Sequence, residues 1–118
     1  MTQIFYWGRN LVSYEANETV SAGDLVTVVA GPKIEVADAD EHPIGVALED
    51  AISGEMVTVA LPPADVSVVA AANVTAGDAV IPAANGEVQP WDGTSAKFIV
   101  GVALETKAAD NRVRILLK

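Results

Sequence analysis

An all-β fold is predicted: a small partly closed β-barrel or sandwich built from two duplicated β units, with an extended N-terminal arm. Three observations carry this expectation. The pentapeptide Gly-Val-Ala-Leu-Glu occurs at 45–49 and again at 101–105, and each copy precedes an alternating apolar run, Val57 to Leu61 and Val113 to Leu117, at a common offset of 56 residues. A second matched pair, Val20 to Val26 and Val74 to Val80, shares an offset of 54, as do Val12-Ser13 and Val66-Ser67. Such self-similarity is the signature of a repeated structural unit. Finally, short apolar or alternating runs are separated by turn residues every eight to twelve residues or so, and no stretch holds a helical period long enough for a helix. Ala70-Ala71-Ala72 has room for a single helical turn and no more.

The repeats define the organisation. Residues 12–61 and 66–117 form two copies of one unit within a single β domain, 12–118, joined by Pro62-Pro63-Ala64-Asp65 and preceded by an arm, 1–11. A chain of 118 residues is one domain in length. Units of about fifty residues are marginal alone, so the two are expected to share a core.

In the first unit, Ala22-Gly23-Asp24 has the composition of a tight turn, in which Gly supplies a positive φ and Asp bonds the following amides. Leu25 to Val29 is a strand, Gly31-Pro32 breaks it, and Lys33 to Val36 alternates as the return strand. The second unit states the same hairpin through Asn85-Gly86, between Val80-Ile81 and Glu87-Val88-Gln89. Polar loops, Ala37 to His42 and Asp92 to Ala96, lead into apolar strands at Ile44 to Leu48 and Phe98 to Leu104. Glycine inside such a strand signals a bend, a bulge or the close approach of another backbone. Turns at Ser53-Gly54-Glu55 and Ala109-Asp110-Asn111 then deliver each unit to its last strand, and Glu49 and Glu105 fall at strand ends, where solvation is expected. Pro62-Pro63 marks the corner between units, because proline donates no ladder hydrogen bond.

The arm gathers Phe5, Tyr6 and Trp7, with Tyr14 just beyond, four of the six aromatic residues, together with Arg9. Burying three aromatics gains roughly 11–19 kcal/mol. Ordering the arm costs about 16 kcal/mol. These nearly cancel, so the arm suits docking on another copy or a partner; an ordinary first strand on its own core is the other reading. Phe5, Tyr6, Trp7, Arg9, Tyr14 and Trp91 are the candidate partner-binding residues.

Chemistry is sparse. There is no cysteine, hence no disulfide, thiol nucleophile or Cys-based zinc site. The only histidine, His42, has neither a Ser elbow nor a second histidine to support a triad. Asp38-Ala39-Asp40-Glu41 lacks the glycine and the distant glutamate of an EF-hand loop, so a solvated acidic loop is expected. Phosphate-cradling glycine motifs are missing. No catalytic residue, cofactor or metal is expected, and the chain is expected not to be an enzyme.

A net charge of −9 disfavours a nucleic-acid partner. Residues 1–96 hold two basic and fourteen acidic side chains, whereas 97–118 hold five basic and two acidic. That C-terminal basic island either pairs with its neighbours or meets an acidic partner. With no apolar run of membrane-spanning length and no basic-then-apolar leader at Met1-Thr2-Gln3, no membrane association or standard secretion signal is expected.

The order Val-x-Ala-Gly-Asp-x-Val, Asn-Gly hairpin, Gly-Val-Ala-Leu-Glu, then Gly54-Glu55-Met56-Val57-Thr58-Val59 resembles the small capsid cement, or head decoration, proteins of tailed bacteriophages. The resemblance covers nearly the whole chain. It implies a β domain on the outer surface of an expanded head, commonly a homotrimer, that ties major capsid protein subunits together after synthesis in the host cytoplasm. The arm here is more aromatic than such proteins suggest, and Val66-Ser67-Val68-Val69 replaces the Gly-Phe-like segment common before the second Ala-Gly-Asp. The Val-x-Ala-Gly-Asp turn is also similar to antifreeze-like (SAF) domains, which would imply a small-ligand or carbohydrate-binding module. A lipoyl-like carrier is disfavoured, because no lysine stands at a hairpin tip between the halves.

Overall fold

The computed structural model describes the backbone of residues 6–8 and, in full, residues 10–39, 41–93 and 99–118. Eleven strands are described: β1 (Tyr6–Gly8), β2 (Leu11–Ala16), β3 (Leu25–Val29), β4 (Lys33–Val36), β5 (Gly45–Ala47), β6 (Met56–Ala60), β7 (Ala64–Val69), β8 (Ala79–Pro82), β9 (Val88–Pro90), β10 (Gly101–Ala103) and β11 (Arg112–Leu117). Among the described residues there is no α-helix, only one 3-10 turn at Ala84–Gly86, and no helix long and apolar enough to cross a membrane. The expected all-β fold is observed. Ala71 and Ala72 form a bend instead of the helical turn allowed above, because Ala70 is drawn into a parallel bridge with Val88.

Strands β2-β4-β3-β5-β6 close into a barrel, and β1-β7-β11-β10-β8-β9 form a six-stranded sheet. The halves pair in the same order: β2 with β6 and β7 with β11, β3 with β4 and β8 with β9, β3 with β5 and β8 with β10, β5 with β6 and β10 with β11, all antiparallel. Correspondence extends to single residues. In the barrel Ala16 pairs in parallel with Ile34, and 54 residues on Ala70 bridges Val88 in the same sense. The halves differ at this seam, since the second retains only that bridge and β1 lies along the start of β7, Trp7 opposite Asp65.

Alternation explains why the repeated strands are almost wholly apolar. Val26, Ala47, Val57 and Val59 fill the barrel with Ala16, Val20 and Ile34. Their neighbours Leu25, Val46 and Ala60 point the other way and join a cluster with Val66, Val68, Val80, Val113 and Ile115 of the second sheet. A strand buried on both faces carries apolar residues at every position. The glycines of the pentapeptide follow from the same crowding. A Cβ on Gly45 would meet the carbonyl oxygen of Ala60, and one on Gly101 that of Leu116, so close approach is the reading that holds.

The Asn85-Gly86 hairpin forms as expected between β8 and β9, with Asn85 at φ 63° and Gly86 at φ 75°. Its tip is an inter-unit contact. Gly86 donates its N–H to Ala37 at 2.8 Å, Asn85 donates its own to Asp38 Oδ1 at 3.1 Å, and Gly86 sits against Asp24 and Val36.

Candidate functional site

The acidic groups singled out in the sequence are taken up by backbone amides. Asp38 Oδ1 accepts from Asn85 as above, and Glu41 Oε1 accepts the N–H of Asp38 at 2.7 Å; Asp40 lies outside the described residues. Among the described residues no group of three or more His, Asp or Glu side chains converges as metal ligands would. His42 is exposed, and its carbonyl accepts the Thr27 hydroxyl at 2.9 Å. A cleft of about 150 Å³ runs between the halves, lined by Leu25, His42, Pro43, Ile44, Val100 and Leu117.

The two glutamates of the repeated pentapeptide are not simply solvated, as their strand-end positions suggested. Glu49 Oε1 accepts the N–H of Thr58, and Glu105 Oε1 accepts that of Arg114, each at 2.9 Å and each nine residues downstream. Each carboxylate therefore ties the end of one strand to the middle of the next. The shared spacing was in the sequence; the acceptor role was not, because it depends on the antiparallel return.

The Ala-Gly-Asp turns behave alike. Asp24 Oδ2 accepts the N–H of Ser21 at 3.0 Å, and Asp78 Oδ2 that of Thr75 at 2.9 Å. Asp24 is further enclosed, and burial pushes its carboxyl above the usual value. The Ser21 amide and the Arg112 guanidinium pull it back, while Glu87 and Asp50 add to the rise. Arg112 comes from β11, donates Nη2 to the carbonyl of Ala22 at 3.2 Å and packs against Gly23. Among the described residues its Nη1 is buried without a hydrogen-bond partner. Arg114 pairs with Asp65, Nη2 to Oδ2 at 2.6 Å and Nε to Oδ1 at 3.4 Å, which raises the pKa of the guanidinium. Of the basic island, these two arginines are thus engaged within the molecule; Lys107 and Lys118 are exposed, and Lys97 lies outside the described residues.

The candidate binding residues are only partly placed. Phe5 and Arg9 lie outside the described residues, and Tyr6 and Trp7 are described as the backbone of β1. Tyr14 is half-buried against the barrel core, whereas Trp91 is exposed just after β9. Tyr14 belongs to β2 of the barrel, and Trp91 follows β9 of the second sheet.

Comparison with known proteins decides the class. Phage cement proteins, as a family, match this chain over residues 8–118. The chain belongs to that family. No curated protein matches it in sequence. Among solved structures, the N base of head fiber gp8.5 of bacteriophage phi29 is similar, with a TM-score of 0.77 at 22% identity over 98% of this chain and 95% of that one. At that identity the likeness shows a common fold. As a cement-family member the chain is a structural component of a phage capsid and not an enzyme.

Proposed function

We propose that the protein is a capsid decoration protein which binds the outer surface of the expanded head and stabilises contacts between major capsid protein subunits, acting as a homotrimer. The family match over residues 8–118 carries this reading. Residues 12–118 serve as one rigid β domain, and the arm 1–11, with Phe5, Tyr6, Trp7 and Arg9, docks on the shell together with the exposed Trp91; Tyr14 contributes its solvent-facing side. Preferential binding to the expanded state stabilises that state by mass action, and three linked sites multiply modest contacts. The acidity of the surface disfavours binding to packaged DNA. Assembly onto heads would follow synthesis in the host cytoplasm.

The purified protein is expected to co-sediment with expanded shells lacking it and to raise their thermal stability. A protein that stays in the supernatant would refute the proposal. Light scattering tests the trimer, and deletion of residues 1–9 is expected to weaken shell binding while leaving the remaining domain folded.

A further inference from the structure

The near-equivalence of the two halves makes one difference informative. In the β2–β6 ladder, Asn10 accepts from Leu61 and Ala16 donates to Glu55, so even-numbered residues of β2 bond β6 while Leu11 and Ser13 turn their N–H and C=O groups outward. The seam with β4 begins only at Glu15, opposite Lys33. Among the described residues nothing pairs with the outward groups of Leu11 and Ser13. In the second half, the residue equivalent to Leu11 is Asp65, and β1 pairs with it through Trp7.

Side-chain burial follows the same contrast. Val12, opposite Val59 on the barrel-interior face, is 39% exposed, and Val28, opposite Ile34, is 43% exposed. Their equivalents in the second half, Val66 beside β1 and Pro82 in β8, are buried. Leu11 is 48% exposed. The first half therefore has an open, apolar-flanked strand edge at the place where the second half holds an added strand.

We infer that the Leu11–Ser13 edge of β2 is a β-augmentation site for an extended segment of the shell protein, a refinement that rests on the capsid-binding proposal above. The segment runs antiparallel to β2, as β1 runs to β7, with its central residue opposite Leu11. Apolar side chains of the segment cover Val12. Main-chain bonds supply affinity in this mode, and the flanking side chains supply selectivity. Charge selects a shell segment over a second copy of this chain. Residues 10–61 carry ten carboxylates and one lysine, so two barrel halves meeting edge to edge would repel, whereas a segment with basic flanks is attracted.

The test combines hydrogen exchange on the full chain, free and bound to expanded shells, with two variants. Ser13→Pro removes an outward N–H but leaves the ladder to β6 intact, a placement proline tolerates. Val12→Lys puts a charge on the apolar rim. The expected result is new protection of the amides of Leu11 and Ser13 on shells, and about tenfold or greater loss of shell affinity in both folded variants. Should the wild type bind shells with those amides unprotected, or a folded Ser13→Pro variant bind equally well, the augmentation site is refuted while the capsid role stands. Protection appearing in the free protein together with a doubled mass would assign the edge to a second copy and likewise overturn the inference. Failure of the wild type to bind shells at all would instead remove the capsid proposal itself.

Discussion

Replacing Gly45 or Gly101 by alanine tests the close backbone approach inside each half and, through the number of melting transitions, the core that the halves share. The added Cβ at 45 would meet the carbonyl oxygen of Ala60 within van der Waals contact, with Ala60 C and Val59 Cγ1 at 3.0 Å; at 101 it would meet the oxygen of Leu116, with Leu116 C at 2.9 Å. The nearest of these obstacles are main chain. Ala60 is held between Val46 of β5 and Leu11 of β2, and Leu116 between Val102 of β10 and Asp65 of β7, so neither can retreat without shifting two ladders. Overpacking of this kind costs about 1–3 kcal/mol. For 118 residues, an unfolding entropy of about 2.1 cal/mol/K per residue makes each kcal/mol worth about 4 °C. Each variant is thus expected to melt about 4–12 °C below the wild type in scanning calorimetry. Because Leu25, Val46 and Ala60 share a cluster with the second sheet, both substitutions should move one common transition. A variant melting within about 2 °C of the wild type would refute the close approach. Two resolved transitions, with Gly45→Ala moving only one, would refute the shared core.

Two further outcomes are expected. Burial raises the folded pKa of Asp24 above its ordinary 3.8, so protonation stabilises the fold fully below the unfolded value, and that contribution is lost as pH rises through the folded one. Asp24→Asn is accordingly expected to melt above the wild type at neutral pH, with the difference closing as the pH falls through the raised folded pKa toward the ordinary 3.8; the opposite sign at neutral pH would mean that attraction to Arg112 dominates. Glu105→Ala removes the half-buried acceptor of the Arg114 N–H and is expected to cost about 1–3 kcal/mol by urea unfolding, whereas Glu49 is exposed and water replaces it at the Thr58 N–H, so Glu49→Ala should cost less.

Much of the fold was legible because it is local. The hairpin at Asn85-Gly86 and the strand pair at 25–29 and 33–36 follow from turn chemistry and period-two alternation, which act over a few residues. The matched pentapeptides likewise announced equivalent strands before any pairing was known. The roles of Glu49, Glu105 and Arg112 were hidden, since each acts on a partner brought near only by the sheet or by the packing of one half on the other.

By itself the sequence determined an all-β chain, the places of its turns, the strands buried on both faces and an acidic surface without a reactive constellation, because propensity, alternation and composition are properties of neighbouring residues. Tertiary structure decided that the first half closes into a barrel while the second spreads into a sheet that receives β1. It also decided which strand edge remains open at Leu11 to Ser13. Val12-Ser13 and Val66-Ser67 are identical pairs in the sequence, and only the long-range pairing of Tyr6 to Gly8 with β7 gives them different surroundings.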